Sequence, residues 1–381
     1  MKTLLNNDDL EHRLDILSEM AKNFARRAKE VDESSSFPYE NMKELKQSGY
    51  TTLSIPKTYG GKEISLYELV RFQEVIAQGD GATALSIGWH MGVVRNINEA
   101  DWDESVKVEV YKQLVEGALI NSAATEPQTG SPTRGGKPQT VATKKQDTWV
   151  INGHKSFTTM SPVLDYFLVT ASIEGSNDVG NFLIPKDSNG IQIEETWDSI
   201  ALKGTGSHDV FFHDVIIPDR YFVEKVSKNK KINPWLLHIP ACYLGIAGAA
   251  QREAVQFANS YSPNSINGTI ATIPSVRTKV GEMELKMQVA KHFLYSVCKK
   301  WDCADTDQQA ILLPELSAAK LFVTNTAIEV VDVAMRIVGA RSLSAKSPLQ
   351  RYYRDVRAGL HNPPMDDMTI EQLANKSFSE F

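Results

Sequence analysis

The apolar residues of this chain change their spacing twice along its length. From residue 9 to about 118 they recur every three or four positions, which is the period of an amphipathic helix. Around residue 119 the pattern changes toward alternation, which is typical of half-buried strands. From about residue 234 onward, long helical patterns return. The predicted order is therefore helices, then strands, then helices.

The segment ISLYELVRFQEVIA illustrates the N-terminal helical pattern. Ser65 and Glu68 have the spacing of a capping box at its start. The residues predicted to share the buried face of this helix are Leu66, Leu69, Val70, Gln73 and Ile76. The preceding segment, YTTLSIPKTYGG, contains prolines and paired glycines and predicts a loop between helices.

The middle third carries the signals of paired strands. In DTWVINGHKSFTT, Asn152 and Gly153 separate two strand-like runs, and this dipeptide favours the tight turn of a hairpin. A second Asn-Gly pair at 189–190 separates NFLIP from IQIEE, and DVFFHDVIIPD is another strand-rich run. These features predict a compact antiparallel β unit.

Three long helical patterns and a C-terminal helix follow, which is enough for a four-helix bundle. We therefore predict an α+β multidomain fold. Its domains are an N-terminal helical domain at 1–118, a central β domain at 119–228 and a C-terminal bundle at 229–381.

Composition narrows the functional classes. Of 381 residues, 42% are hydrophobic and 23% are charged, and the formal net charge is -6. These values indicate a globular protein without the basic surface that nucleic acid requires. No segment has the length and apolarity of a signal peptide or a membrane span, so we predict a cytoplasmic protein. The three cysteines, Cys242, Cys298 and Cys303, indicate buried thiols rather than a disulfide or a zinc site.

Two segments could hold a ligand. In ATEPQTGSPTRGG, Thr125, Gly130 and Ser131 offer hydroxyls and close main-chain approach, although an ordinary surface loop has the same composition. In SFTT, Phe157 could lie against a flat heteroaromatic ring while a threonine hydroxyl bonds its edge. The alternative is that Phe157 is simply a core residue of its strand.

Other motifs give weaker signals. ALKGTGSHD, at 201–209, resembles a phosphate loop but lacks GxGxxG and opens no helix, so it predicts a turn before the next strand. His208 and His213 are five residues apart, which places them on opposite faces of a strand and disfavours a metal site.

In combination, these motifs resemble the acyl-CoA dehydrogenase family over nearly the whole chain. The segments that carry the resemblance, in chain order, are LKQSGYTTLSIPKTYGG, ISLYELVRFQEVIAQGDGATAL, ATEPQTGS, INGHKSFTT, ALKGTGSHDVFFHDVIIP and MRIVGARSLSAKSPLQRYYRDVR. The resemblance implies a helical domain, a β-barrel domain and a four-helix bundle that enclose FAD, and an assembly into homotetramers or homodimers. It also implies an acyl-CoA substrate, a place in fatty acid metabolism and electron transfer to an electron-transfer flavoprotein.

The resemblance assigns roles to individual residues. Thr125 would contact the isoalloxazine ring, and Gly130 and Ser131 would help to hold the cofactor and the acyl-thioester end. In the SFTT segment, Phe157 would cover the flavin and Thr159 would hydrogen-bond it. Thr158, which lies between them, is also predicted to bind the cofactor.

The chain departs from the family pattern at several cofactor contacts. Gly339 and Ala340 stand at the usual double glycine, beside which the adenosine of a neighbouring subunit's FAD lies. The Arg-x-x-Phe-Gly that meets the pyrophosphate is absent from SPNSINGTIATIPSVR, Lys203 replaces an arginine and Pro132 replaces an acidic residue. Phe157 replaces a tryptophan and keeps a planar ring.

The expected catalytic acid is also replaced. In the family, a glutamate usually lies nine residues after the arginine of the RD pair, and counting from Arg354 gives Pro363. The minority position on the first bundle helix falls near His238 and Ile239, where there is no carboxylate. We predict that His361 or Asp366 replaces the base, with Asp367 nearby.

Two alternatives follow from this loop. A histidine here also resembles the monooxygenase branch of the family, in which reduced flavin, FMN included, comes from a partner flavin reductase and reacts with oxygen. The other alternative is a protein that binds flavin or acyl-CoA without catalysis, after loss of its base.

Overall fold

The N-terminal pattern folds into helices that pack around a shared apolar core. The computed structural model describes residues 3–130, 136–226 and 233–379. The first helices are α1 (Leu10–Ser34), α2 (Tyr39–Ser48), α3 (Leu66–Gly79), α4 (Gly81–Glu99) and α5 (Glu104–Val115). The capping box of Ser65 and Glu68 is confirmed at the start of α3, and the predicted inner face of that helix is buried.

The central strands form one mixed sheet. They are β1 (Ile120–Ala123), β2 (Val141–Lys145), β3 (Thr148–Thr158), β4 (Tyr166–Ile173), β5 (Val179–Pro185), β6 (Ile191–Glu194), β7 (His208–Pro218) and β8 (Phe222–Lys225). Their order is β6-β7-β3-β2-β4-β5-β8, with β1 on β4. Strands β1 and β2 both run parallel to β4, whereas β7 pairs antiparallel with the other edge of β3. The sheet is therefore not purely antiparallel, and its closure into a barrel stays a prediction.

The predicted hairpin turn at Asn152-Gly153 is wrong. Both residues lie inside β3, at a shift of register against β7, and the turn from β2 to β3 falls at 146–147. A Cβ on Gly153 would come within 2.4 Å of the Thr140 hydroxyl oxygen, so the glycine is needed for close approach. The Asn152 side chain instead exchanges two hydrogen bonds with Asp214 across the strands.

The C-terminal part is helical, as predicted. Its helices are α6 (His238–Ser260), α7 (Pro274–Cys303), α8 (Thr306–Val338), α9 (Pro348–Asp355) and α10 (Asp366–Ser379). Helix α6 packs against α3, α4 and α8, which buries it between the N-terminal helices and the rest of the bundle. Within the described ranges, no helix combines the length and apolarity that a membrane span needs. The predicted domain boundaries stay predictions.

Two of the three thiols are buried as predicted. Cys242 and Cys298 are enclosed, whereas Cys303 at the end of α7 is exposed, so the prediction is wrong for that residue. All three are free thiols.

Helix α9 joins the three parts of the chain. The Arg354 guanidinium donates two hydrogen bonds to the Asp32 carboxylate of α1, at 3.0 and 2.5 Å. The Leu202 backbone N–H donates to the Asp355 carboxylate at 2.7 Å. Burial raises the pKa of Asp355 to about 7, while Leu202 and Arg351 oppose that rise.

Asp355 therefore makes stability depend on pH. Its pKa in the folded chain lies above the ordinary value, so the folded state binds the proton more tightly than the unfolded state does. The contribution of Asp355 to the free energy of unfolding is therefore full below about pH 4 and is lost as pH rises through 7. We expect the free energy of unfolding of the wild type to fall relative to Asp355→Asn by up to roughly 1.4 kcal/mol per pH unit in this window. Urea denaturation from pH 5 to 8 measures the difference. The exposed Asp198→Asn serves as a control, and parallel profiles for wild type and Asp355→Asn would contradict the account.

Candidate functional site

A buried ion pair organises the loop after β1. The Glu126 carboxylate is 2% exposed and accepts a hydrogen bond from the Lys155 ammonium at 2.6 Å. It also accepts from the backbone N–H groups of Gln139 and Thr140 and from the Thr129 and Thr140 hydroxyls. Burial alone would raise the pKa of Glu126, but these donors hold it at about 2. The carboxylate is therefore charged and fully bonded.

This ion pair brings the loop against the end of β3. Lys155 belongs to β3, and the Ser156 N–H next to it donates to the Thr125 carbonyl at 2.9 Å. Gly130 closes the loop through its N–H to the Glu126 carbonyl at 2.8 Å. Its φ is +65°, and a Cβ built on it meets no atom within 4 Å. Thr125 and Gly130 thus lie beside the SFTT segment, while Ser131 and Pro132 lie outside the described residues.

Phe157 is not a core residue of its strand. Its side chain is 63% exposed, and its φ is +55°, a left-handed conformation that a bulky residue rarely adopts. The ring meets the Trp197 ring edge to face, with 5.9 Å between centroids and 81° between planes. Strained backbone conformations of this kind cluster at active sites and ligand contacts, which makes Phe157 a candidate ligand-binding position. The interpretation of Phe157 as an ordinary core residue is therefore wrong.

The residues around this ring carry buried hydroxyls. Ser156 and Thr158 are buried, and their side-chain oxygens have no hydrogen-bond partner among the described residues. The Thr159 hydroxyl lies 2.9 Å from that of Ser207, and its carbonyl accepts from the Asn121 amide. Buried polar atoms are normally hydrogen-bonded, so unpaired hydroxyls beside an exposed ring fit a flat ligand with polar edges. A flavin has that chemistry.

Sequence reasoning missed Trp197. Its indole N–H donates to the Leu202 carbonyl at 3.3 Å, and its backbone N–H donates to the His208 ring at 3.1 Å. The tryptophan is thereby fixed beside Phe157 by the turn at 201–209, which comes before β7 as predicted. The available signal was a tryptophan four residues before ALKGTGSHD, but no local rule connects it with Phe157.

Gly339 and Ala340 occupy a separate place. They follow the end of α8 and are exposed, and Gly339 has a φ of +69°. The Arg341 guanidinium next to them lies 4.3 Å from the centre of the Tyr261 ring. Their predicted contact with the cofactor of a second copy stays a prediction.

The two base candidates have different surroundings. His361 is exposed at the end of the short 3-10 helix Val356–His361. Asp366 is the first residue of α10, and its carboxylate accepts from Lys320 at 3.5 Å and from Asn325 at 3.2 Å, both on α8. Between them, the Tyr243 hydroxyl donates to the Asn362 side chain at 2.5 Å. Neither catalytic role is tested by this geometry.

Three family models match consecutive parts of the chain. The N-terminal, middle and C-terminal domains of acyl-CoA dehydrogenases match residues 10–118, 121–215 and 237–362. The chain belongs to the acyl-CoA dehydrogenase family. Family membership agrees with the observed order of helices, sheet and helices.

Several known proteins are similar over nearly their full length. The putative acyl-CoA dehydrogenase YdbM of Bacillus subtilis strain 168 is 51% identical, over 99% of this chain and 100% of its own. The 3-(aryl)acrylate reductase of Clostridium sporogenes is 26% identical, over 90% of this chain and 92% of its own. The dibenzothiophene monooxygenase TdsC of Paenibacillus sp. A11-2, solved with FMN and indole, has a TM-score of 0.87 at 25% identity and covers 97% of this chain and 98% of its own.

The Glu126–Lys155 pair generates a prediction for stability. Glu126→Gln leaves the buried ammonium without a counter-charge, so the free energy of unfolding in urea should fall by about 3–5 kcal/mol. Adding Lys155→Met removes the uncompensated charge and should recover part of that loss. A double variant as unstable as the sum of the two single variants would show that the pair is not coupled.

Proposed function

We propose that the chain is a flavin-dependent oxidoreductase that desaturates an acyl-CoA or a related thioester between Cα and Cβ. The observation that carries this proposal is the exposed Phe157, flanked by unpaired buried hydroxyls, on a loop held by the Glu126–Lys155 pair. The name of the 51% identical relative points to the same reaction class.

The residues of this chain fit a flavin, and FAD is the proposed form. Bound flavin supplies an acceptor for the hydrogen that leaves Cβ with two electrons. Phe157 would cover the ring, and the hydroxyls of Thr158 and Thr159 would bond its edge. Thr125, Gly130 and Ser131 would hold the cofactor from the facing loop. FMN is the alternative, since TdsC was solved with FMN.

His361 is the better candidate for the base that takes the proton from Cα. Its ring is exposed, so it can reach a substrate without first breaking a contact in the described structure. Asp366 accepts hydrogen bonds from Lys320 and Asn325, one at each carboxylate oxygen, and these contacts hold its side chain against α8. The Asn362 contact with Tyr243 fixes the residue next to His361.

A specific observation favours a second candidate function. Pro363 stands where the family's acid is expected, and the chain aligns over its length with a monooxygenase that was solved with FMN and indole. In that case His361 would lie near an aromatic substrate, and a partner reductase would supply the reduced flavin.

The assembly, the location and the pathway are proposed by resemblance to the family. We propose a homo-oligomer in the cytoplasm, a tetramer by resemblance, that acts in fatty acid metabolism. Exposed apolar side chains on α7 and α8 support self-association. They are Leu285, Val289 and Phe322.

An anaerobic spectrum tests the leading function. Protein loaded with FAD should lose its visible absorbance when mixed with one of butyryl-, isovaleryl- or palmitoyl-CoA. His361→Ala should slow this bleaching by roughly 10²–10⁴-fold, which is the usual contribution of a general base. Asp366→Asn is the matched variant and should change the rate little.

Other outcomes would favour one of the two alternative functions. No bleaching with any thioester, together with oxygen consumption by protein supplied with reduced FMN and indole, would favour the monooxygenase. Tight flavin binding with neither reaction would favour the non-catalytic binding protein.

A further inference from the structure

Two fully buried histidines in neighbouring helices differ in their hydrogen bonding. In α4, His90 is satisfied at both ring nitrogens, by the Thr51 carbonyl at 3.1 Å and the Ile120 N–H at 3.2 Å. At the start of α6, His238 is 1% exposed, and neither of its ring nitrogens has a partner among the described residues. Burial lowers the pKa of His238 to about 3, so the imidazole is neutral.

Helix α4 is shaped around this unpaired ring. A Cβ on Gly88 would come within 2.3 Å of His238 Nδ1, so that position of α4 accepts only glycine while the imidazole stays in place. The Trp89 ring meets the imidazole edge to face, with 4.9 Å between centroids and 76° between planes. One turn further on, Trp235 packs against Gly92, and its buried indole N–H has no partner among the described residues either.

This arrangement is unfavourable for the chain by itself. A neutral imidazole has one donor and one acceptor, and both lose their hydrogen bonds to water on burial. A glycine inside a helix adds a further cost. An apolar side chain of similar size at 238 would avoid the first cost, and the Gly88 close contact shows that the ring is specifically accommodated.

We propose that His238 is a substrate-binding residue that hydrogen-bonds a polar group on an otherwise apolar, ring-bearing substrate. On α4 the imidazole meets the aromatic ring of Trp89 and the glycine Gly88. The Arg95 guanidinium lies over the Trp235 ring, 5.0 Å from its centroid, and is paired with Glu63, so it is not a free counter-charge for a ligand. The bound group is therefore uncharged: a ring N–H, a hydroxyl or a carbonyl.

The position of His238 relates it to the candidate flavin segment. His90 follows Trp89 in α4 and accepts from the Ile120 N–H at the start of β1. The next residue, Asn121, donates to the Thr159 carbonyl. The His238 imidazole thus packs against Trp89, whose neighbour in α4 is His90. From His90, contacts lead through β1 to Thr159 of the SFTT segment. The proposal rests on the proposed flavin-dependent function in either of its forms, because a ring-bearing acyl thioester and a free aromatic substrate would both present such a group.

Trp89, which packs against the imidazole, is only partly buried, whereas His238 is enclosed. The proposal therefore requires the Trp89 side chain to move when a ligand binds.

The test compares two ligands of the same shape and two histidines of the same burial. Indole carries one ring N–H, and indene replaces it with carbon. Calorimetric titration of FAD-loaded wild type should show indole bound about tenfold more tightly than indene, the ratio that one buried hydrogen bond supplies.

In His238→Leu this ratio should fall to about one, while the melting temperature rises by about 1–3 °C because an unpaired buried group is removed. In His238→Gln, which keeps a donor and an acceptor, the preference for indole should return.

His90→Leu is the matched control. It removes a histidine whose nitrogens are both bonded, so the melting temperature should fall. Equal binding of indole and indene by the wild type, binding of neither, or an unchanged ratio in His238→Leu would each overturn the proposal. A fall in the melting temperature of His238→Leu would do the same, since it would show that the imidazole serves only the fold. These are equilibrium measurements, so they are separate from a failure of the proposed reaction.

Discussion

The candidate site depends on one buried ion pair, between Glu126 and Lys155. Two charges far from water are stable only when hydrogen bonds satisfy them. The Glu126 carboxylate accepts five hydrogen bonds, one of them from Lys155. Those bonds fix the loop of Thr125 and Gly130 against β3. With the loop fixed, Phe157 can remain exposed in a left-handed conformation that it would not adopt in isolation.

A second constraint joins this site to the rest of the molecule. Leu202 accepts from Trp197 through its carbonyl and donates to Asp355 through its N–H, so one residue connects the aromatic pair with α9. Arg354 ties the same helix to α1 through Asp32. The loop that carries His361 begins at this junction. Hydrogen bonds of α9 with Asp32 and Leu202 therefore hold the start of this loop, and the Asn362 contact with Tyr243 holds the residue next to His361.

The features that the sequence predicted correctly are those that depend on residues close together along the chain. The capping box at Ser65 and the order of helices, sheet and helices depend on residues a few positions apart, and both are confirmed. The hairpin prediction at Asn152-Gly153 was wrong because an Asn-Gly pair fits a bulge with close backbone approach as well as a turn. The strand pattern alone left a core position open for Phe157, and its left-handed φ is not visible in that pattern. The sequence marks His238 only as a position without a carboxylate, because its missing hydrogen-bond partners are a property of the packed helices.

The affinity for oxidised FAD, measured by quenching of flavin fluorescence, tests the central claim most directly. That claim is that the exposed ring of Phe157 forms part of a flavin site. We predict that Phe157→Ala binds FAD roughly tenfold more weakly than the wild type, because it loses the stacked aromatic surface. Phe378→Ala, which removes a ring that is 83% exposed at the far end of α10, should bind as the wild type does. Equal affinities for wild type and Phe157→Ala would contradict the account.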